Sequence, residues 1–200
     1  MKKFITGIIF IFLIVCFIFL GTRDYKQAEQ TDNVTFSEEY QEIDENNIFT
    51  YTNASKVLTT LRSGSGIIFF GFKKDVWAGY YANILNSAAM DLGIKEIYYY
   101  DFYEDRNNQN ATYESIVELL KEYLVVLDDG TKNIYSPSIV IVKDGEIVAF
   151  NDDTAIMRGK DNPEEYWNEY QTSLEKIKLT NMINQYLGNS LEVEDERIEE

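Results

Sequence analysis

The chain has 200 residues and a mass of 23.3 kDa, enough for one ordinary domain with extensions. It contains no His and one Cys, which excludes imidazole catalysis, His metal ligands, Ser/His and Cys/His nucleophile pairs, multi-Cys zinc sites and an internal disulfide. Acidic residues outnumber basic ones 34 to 18, a net charge of −16, so phosphate backbones repel the chain and no nucleic-acid partner is expected.

Phe4 to Leu20 is an apolar run without a charge, preceded by Lys2 and Lys3. At about 1.5 Å per residue it is about 25 Å long as a helix, close to the hydrocarbon thickness of about 30 Å. A cleaved secretory segment is shorter and ends in small residues, whereas this run ends in Phe17-Ile-Phe-Leu20. Residues 1–21 are therefore expected to form an uncleaved single-pass anchor in the cell membrane. The Lys pair holds the N-terminus in the cytoplasm and the C-terminal domain stands outside. Leu13-Ile-Val-Cys16 is similar to a bacterial lipobox, but Val15 replaces the expected small residue; an apolar Cys in a membrane helix is the plainer reading. The acidic exported part is not expected to adhere to anionic lipid.

Residues 22–47 are polar and acidic without a helical or strand period, and the expectation is a flexible linker. The domain follows over residues 48–188, with an acidic tail over 189–200. Ile48–Tyr51 reads as a short strand and Ala54–Leu61 as a helix capped by Asn53. Ser63–Gly66 is a turn, and Ile67–Phe72 is a continuous apolar run suited to a buried central strand. Asp75 caps a helix over Val76–Leu92 that ends at Gly93. Ile97–Asp101 is a second central strand, and Thr112 is expected to cap a helix carrying Ile116, Val117, Leu120, Leu124 and Leu127. Ile139–Val142 and Glu146–Phe150 flank Asp144-Gly145, the dipeptide that suits a type I′ hairpin turn. Asn162-Pro163-Glu-Glu165 starts a helix running toward Leu187, with a break expected near Thr172-Ser173 and a stop at Gly188. The order predicts an α/β fold: a mixed sheet, parallel through helical crossovers and antiparallel at the hairpin, covered on both faces.

Two segments carry a more specific resemblance. Ile67-Ile-Phe-Phe-Gly-Phe-Lys-Lys-Asp-Val-Trp-Ala78 and the helix after it resemble the strand, active-site turn and helix of the thioredoxin-like family. Tyr135-Ser-Pro-Ser-Ile-Val-Ile-Val-Lys-Asp-Gly145 resembles that family's cis-proline loop leading into a hairpin. The nearest flavour is the thioredoxin-like proteins of Gram-positive bacteria, a group that includes bacteriocin transport accessory proteins. The resemblance implies a tetrad at Asp75, Val76, Trp77 and Ala78, with Asp75 and Ala78 where the family carries its two cysteines. It implies a peptide-binding surface at Trp77, Ser136 and Pro137, with Trp77 as an exposed apolar anchor.

The departure has a chemical consequence. A thiolate stabilised at a helix N-terminus attacks a disulfide, and a second thiol resolves it. Asp75 and Ala78 can do neither, and Cys16 lies in the apolar run. The expectation is a redox-inactive domain with no catalytic residue, no cofactor and no metal, which binds an extracytoplasmic peptide or protein. Asp75 also has a plain reading as an N-cap, and Trp77 as an ordinary half-buried aromatic. Two other functions stay open: an enzyme using carboxylates or a metal, and an accessory or immunity-like role in peptide export. Asp101, Glu104 and Asp105 at a strand end and Asn151-Asp-Asp153 after the hairpin are the acidic clusters that bear on the first, though neither has EF-hand spacing.

Overall fold

The computed structural model describes residues 31–73, 75–152 and 159–189. The chain divides after Thr31, and all that follows concerns the unit that begins at Asp32. The proposed anchor, Phe4–Leu20, and the tail beyond Asn189 lie outside the described residues. Among the described residues no helix is long and apolar enough to cross a membrane.

The two most apolar runs of the domain lie side by side at its centre. β2 (Gly66–Gly71) and β4 (Ser138–Lys143) pair antiparallel, with Ile68 against Val140 and Phe70 against Ser138. β1 (Phe49–Tyr51) and β3 (Ile97–Asp101) run parallel to β2, and β5 (Glu146–Asn151) closes the hairpin. The sheet has five strands in the order β1-β3-β2-β4-β5. Parallel neighbours need crossovers, and helices supply them: α2 (Ala54–Ser63) between β1 and β2, α3 (Val76–Asp91) between β2 and β3. The remaining helices are α1 (Asp32–Glu39), α4 (Tyr103–Asn107), α5 (Ala111–Leu120), α6 (Pro163–Tyr166) and α7 (Glu169–Leu187).

Strand alternation sorts the core into two layers. Ile67, Phe69, Tyr99, Ile139 and Ile141 meet α1, α3 and α7 on one face. Ile68, Phe70, Tyr100, Val140 and Val142 meet α2 and α5 on the other. A strand buried on both faces must be apolar at every position, which is why β2 and β4 lack the polar alternation of a half-exposed strand. The aromatic run Tyr98–Tyr103 follows the same rule, with Tyr99 and Tyr100 buried on opposite faces.

Three expectations are corrected. The stretch before Ile48 is not a loose linker from Asp32 onward. α1 packs Phe36 at 0% exposure on the sheet, stacked on Phe49 at 4.1 Å between centroids, and Tyr40 and Ile43 follow it into the core. The helix expected from Thr112 to Leu127 is capped two residues earlier, by Asn110, whose side chain accepts from Thr112 N, and it ends at Leu120. Leu124 is buried from the loop beyond. The C-terminal helix breaks at Trp167–Asn168 rather than Thr172–Ser173: Trp167 closes α6 and the Asn168 side chain caps α7 by accepting from Gln171 N.

The hairpin turn is as expected, with φ of 53° at Asp144 and 82° at Gly145. It docks on the α2–β2 turn, where Gly145 N donates to Gly64 O at 2.8 Å and Asp144 N to Ser65 Oγ at 2.8 Å.

Candidate functional site

The C-terminal ends of β1, β2 and β3 form a mouth where chain turns leave the sheet, the usual place for function in open α/β sheets. β2 ends at Gly71, and Asp75 caps α3, with its Oδ1 accepting from Trp77 N at 3.0 Å. A capping carboxylate satisfies one of the orphan N–H groups of the first turn and meets the positive end of the helix dipole. Its other oxygen, Oδ2, accepts from Ser136 Oγ at 2.5 Å. That contact joins the two segments singled out from the sequence, which are far apart in the chain. The Ser136–Pro137 bond is cis and leads directly into β4. Burial pushes the Asp75 carboxyl above its ordinary pKa, while the hydrogen bonds from Ser136 and from the amides of Ala78 and Trp77 pull it back down.

The four tetrad positions are unlike in exposure. Val76 projects outward at 48% exposed, Trp77 is 7% exposed and Ala78 is 0% exposed. Trp77 was expected as the exposed anchor, and the structure corrects this. Its ring lies 5.9 Å from that of Tyr166 and belongs to the core layer shared by α3 and α7. The reason is local: the first turn of α3 is flanked on two sides, and the side chain at 77 points toward α6 and α7.

The other flank belongs to the segment after α1. Tyr40 is buried, its hydroxyl 3.0 Å from that of Tyr99. Glu42 reaches the helix at Gly79, where an added Cβ would meet its carboxylate. Burial raises both the Tyr40 and Tyr99 phenols well above their ordinary value, so the pair stays neutral and hydrogen-bonded. Lys73, next to the tetrad, pairs with Glu39 of α1 at 2.5 Å. The sequence held a signal for this packing: Phe36, Tyr40 and Ile43 follow an i, i+4, i+7 spacing inside a polar stretch.

Of the acidic clusters, Asp105 is engaged within the fold. It accepts from the Tyr100 hydroxyl at 2.6 Å and from Asn110 Nδ2 at 2.9 Å. Asn151 is likewise structural: it is buried, donates to Tyr81 Oη and Glu175 Oε1, and accepts from Lys178 Nζ. Asp153 lies outside the described residues. Among the described residues no group of three or more acidic or Cys side chains is placed to hold a metal ion. Asp101 and Glu104, singled out in the sequence as an acidic cluster at a strand end, line an open cleft of about 710 Å³ at the mouth with Phe72, Lys73 and Tyr103, whose part in it the sequence did not point to.

No protein-family model matches the chain, and no curated protein matches it.

Proposed function

We propose that this chain is a membrane-anchored, extracytoplasmic thioredoxin-like domain that lacks redox chemistry and binds an extended peptide or partner segment beside Asp75. The observation that carries the reading is the contact between Ser136 Oγ and Asp75 Oδ2, which sets a loop entering a strand against the N-terminus of the helix after β2. The strand order β1-β3-β2-β4-β5, with three parallel strands and an antiparallel hairpin, supports the same reading. Backbone groups around Ser136, in the loop ahead of β4, can pair with an extended chain as an added strand, which gives affinity through main-chain hydrogen bonds. Asp75 takes the place of a nucleophilic thiol. It orders the loop through Ser136 but has no electrons to exchange. With Trp77 in the core, Val76 becomes the apolar contact offered to a bound segment.

The test is a photo-crosslinking residue placed at Val76 of the full chain in its own cells. A discrete adduct is expected from Val76 and not from Tyr170, a control on α7 that is 67% exposed. Equal labelling from both positions, or none from Val76, rejects the site.

A further inference from the structure

The cleft at the mouth has a composition that selects one kind of side chain. Phe72 and Tyr103 form its walls, their rings 5.4 Å apart, and Tyr103 is 44% exposed. Asp101 and Glu104 supply carboxylates to the same cleft. Asp101 Oδ1 accepts from Tyr103 N at 3.1 Å, which fixes its carboxylate at the end of β3. Among the described residues, Lys73, which lines the cleft, is turned to Glu39 at 2.5 Å, and neither Asp101 nor Glu104 is ion-paired. The protein already places a guanidinium on this wall: Arg106 lies 5.9 Å from the Phe72 ring and 5.2 Å from that of Phe102. Aromatic faces attract cations through their quadrupole, and carboxylates at the same place add charge.

Sheet register sets the cleft beside the proposed strand-pairing edge. Phe70 faces Ser138 in the last β2–β4 pair, so Phe72 and Ser136 both lie just beyond that end of the ladder, and Gly71 lies beside Asp101 on β3. With neighbouring strands about 4.8 Å apart, Asp101 on β3 is two strand spacings, about 10 Å, from the start of β4 that Ser136–Pro137 leads into. A long, flexible side chain with a charged tip spans that gap, and a short one does not.

We propose that this cleft takes the cationic side chain, Arg or Lys, of the extended peptide that lies along Ser136–Pro137, so that the ligand is a basic segment. This rests on the strand-pairing reading above and adds the ligand's charge to it. The acidic excess of the whole chain, 34 acids to 18 bases, favours the same class of partner at long range.

The test uses the full chain and three matched acetylated heptapeptides of alternating Thr and Val, with a central Arg, Gln or Glu. Binding is followed by amide shifts in NMR. The Arg peptide is expected to bind about tenfold more tightly than the Gln peptide, and the Glu peptide more weakly still. The Arg preference should shrink as salt is raised, because the cleft is open to solvent. In Asp101→Asn with Glu104→Gln the preference should vanish while the Gln peptide binds as before, which also shows that the variant is folded. Tyr103→Ala, which changes no charge, should lose part of the preference. If Arg and Gln peptides bind alike, or if the preference survives in the double variant, the cleft is not the cation site although strand pairing stands. If no peptide binds, the strand-pairing reading fails and this inference falls with it.

Discussion

Asp75 does two things at once: it caps α3 and it holds Ser136. Its carboxyl is raised by burial, so in the folded state it keeps a proton to higher pH than in the unfolded chain. Between the two pKa values the folded state binds more protons, and stability therefore falls as pH rises through that window. Asn at this position remains a good cap and cannot ionise. Asp75→Asn is accordingly expected to melt at or above the parent near neutral pH. The difference should close on acidification below the ordinary carboxylate range, where the parent is neutral too. Melting curves across pH check this; a parent that is destabilised by acid relative to the Asn variant would reverse the sign. Trp77 gives the complementary case. At 7% exposure in the α3–α7 layer, its truncation to Ala is expected to cost about 3–5 kcal/mol of stability in urea unfolding, far above the effect of changing an exposed anchor.

At the scale of elements, α1 is the clearest test of what holds the domain together. Phe36 fills the space over Phe49 and Tyr99, with ring centroids 4.1 and 5.0 Å away. Phe36→Ala is expected to cost about 3–5 kcal/mol, and the midpoint of denaturant unfolding measures it. A near-neutral result would return residues 32–47 to the status of a linker. The hairpin turn supplies a second test. Gly145 has φ of 82°, and a Cβ there would meet Arg62 O at 2.6 Å, a backbone atom that cannot swing aside. Gly145→Ala is therefore expected to lower the melting temperature, because left-handed backbone strain of about 1–2 kcal/mol adds to the clash.

These elements also mark what the sequence made legible. β2, β3 and the hairpin were readable because a two-sided strand must be apolar throughout and because Asp-Gly has few alternatives in a tight turn. The capping residues Asn53, Asp75 and Asn162 were readable for the same kind of reason: a side chain that accepts from orphan amides has a short list of identities. α1 was not, since three apolar residues in an acidic stretch carry a weak periodic signal whose partner, the β1–β3 face, is visible only in three dimensions. Trp77 was misplaced because spacing along the chain does not say which side of a helix start faces its neighbours, and here α6 and α7 cover it. The meeting of Asp75 with Ser136 was expected only through a resemblance, with no signal in the spacing of the two segments; of the cleft beside them the acidic pair Asp101 and Glu104 was visible in the sequence, while its aromatic walls depend on the β2–β3 register and had no local signature.

The whole molecule combines an acidic domain with an uncharged apolar run at Phe4–Leu20 and a basic pair before it. If the run is an anchor with Lys2 and Lys3 in the cytoplasm, the acidic domain lies outside the cell, where a basic segment can approach it without cytoplasmic nucleic acid competing for that segment. α1 begins at Asp32, only a short stretch beyond Leu20, so α1 and its capping of the Tyr99 layer sit near the anchored end of the domain in sequence. The expected outcome on cells stripped of their wall is that added protease degrades the domain and that the undigested full chain sediments with membranes. Protection until the membrane is opened would invert the orientation, and with it the compartment of the ligand. A shortened soluble product would show that the run is removed, leaving α1 near a free terminus. Full-length chain recovered from the soluble fraction would mean that the run does not anchor, and a basic partner would then have to be sought in the same compartment as the nucleic acids this domain repels.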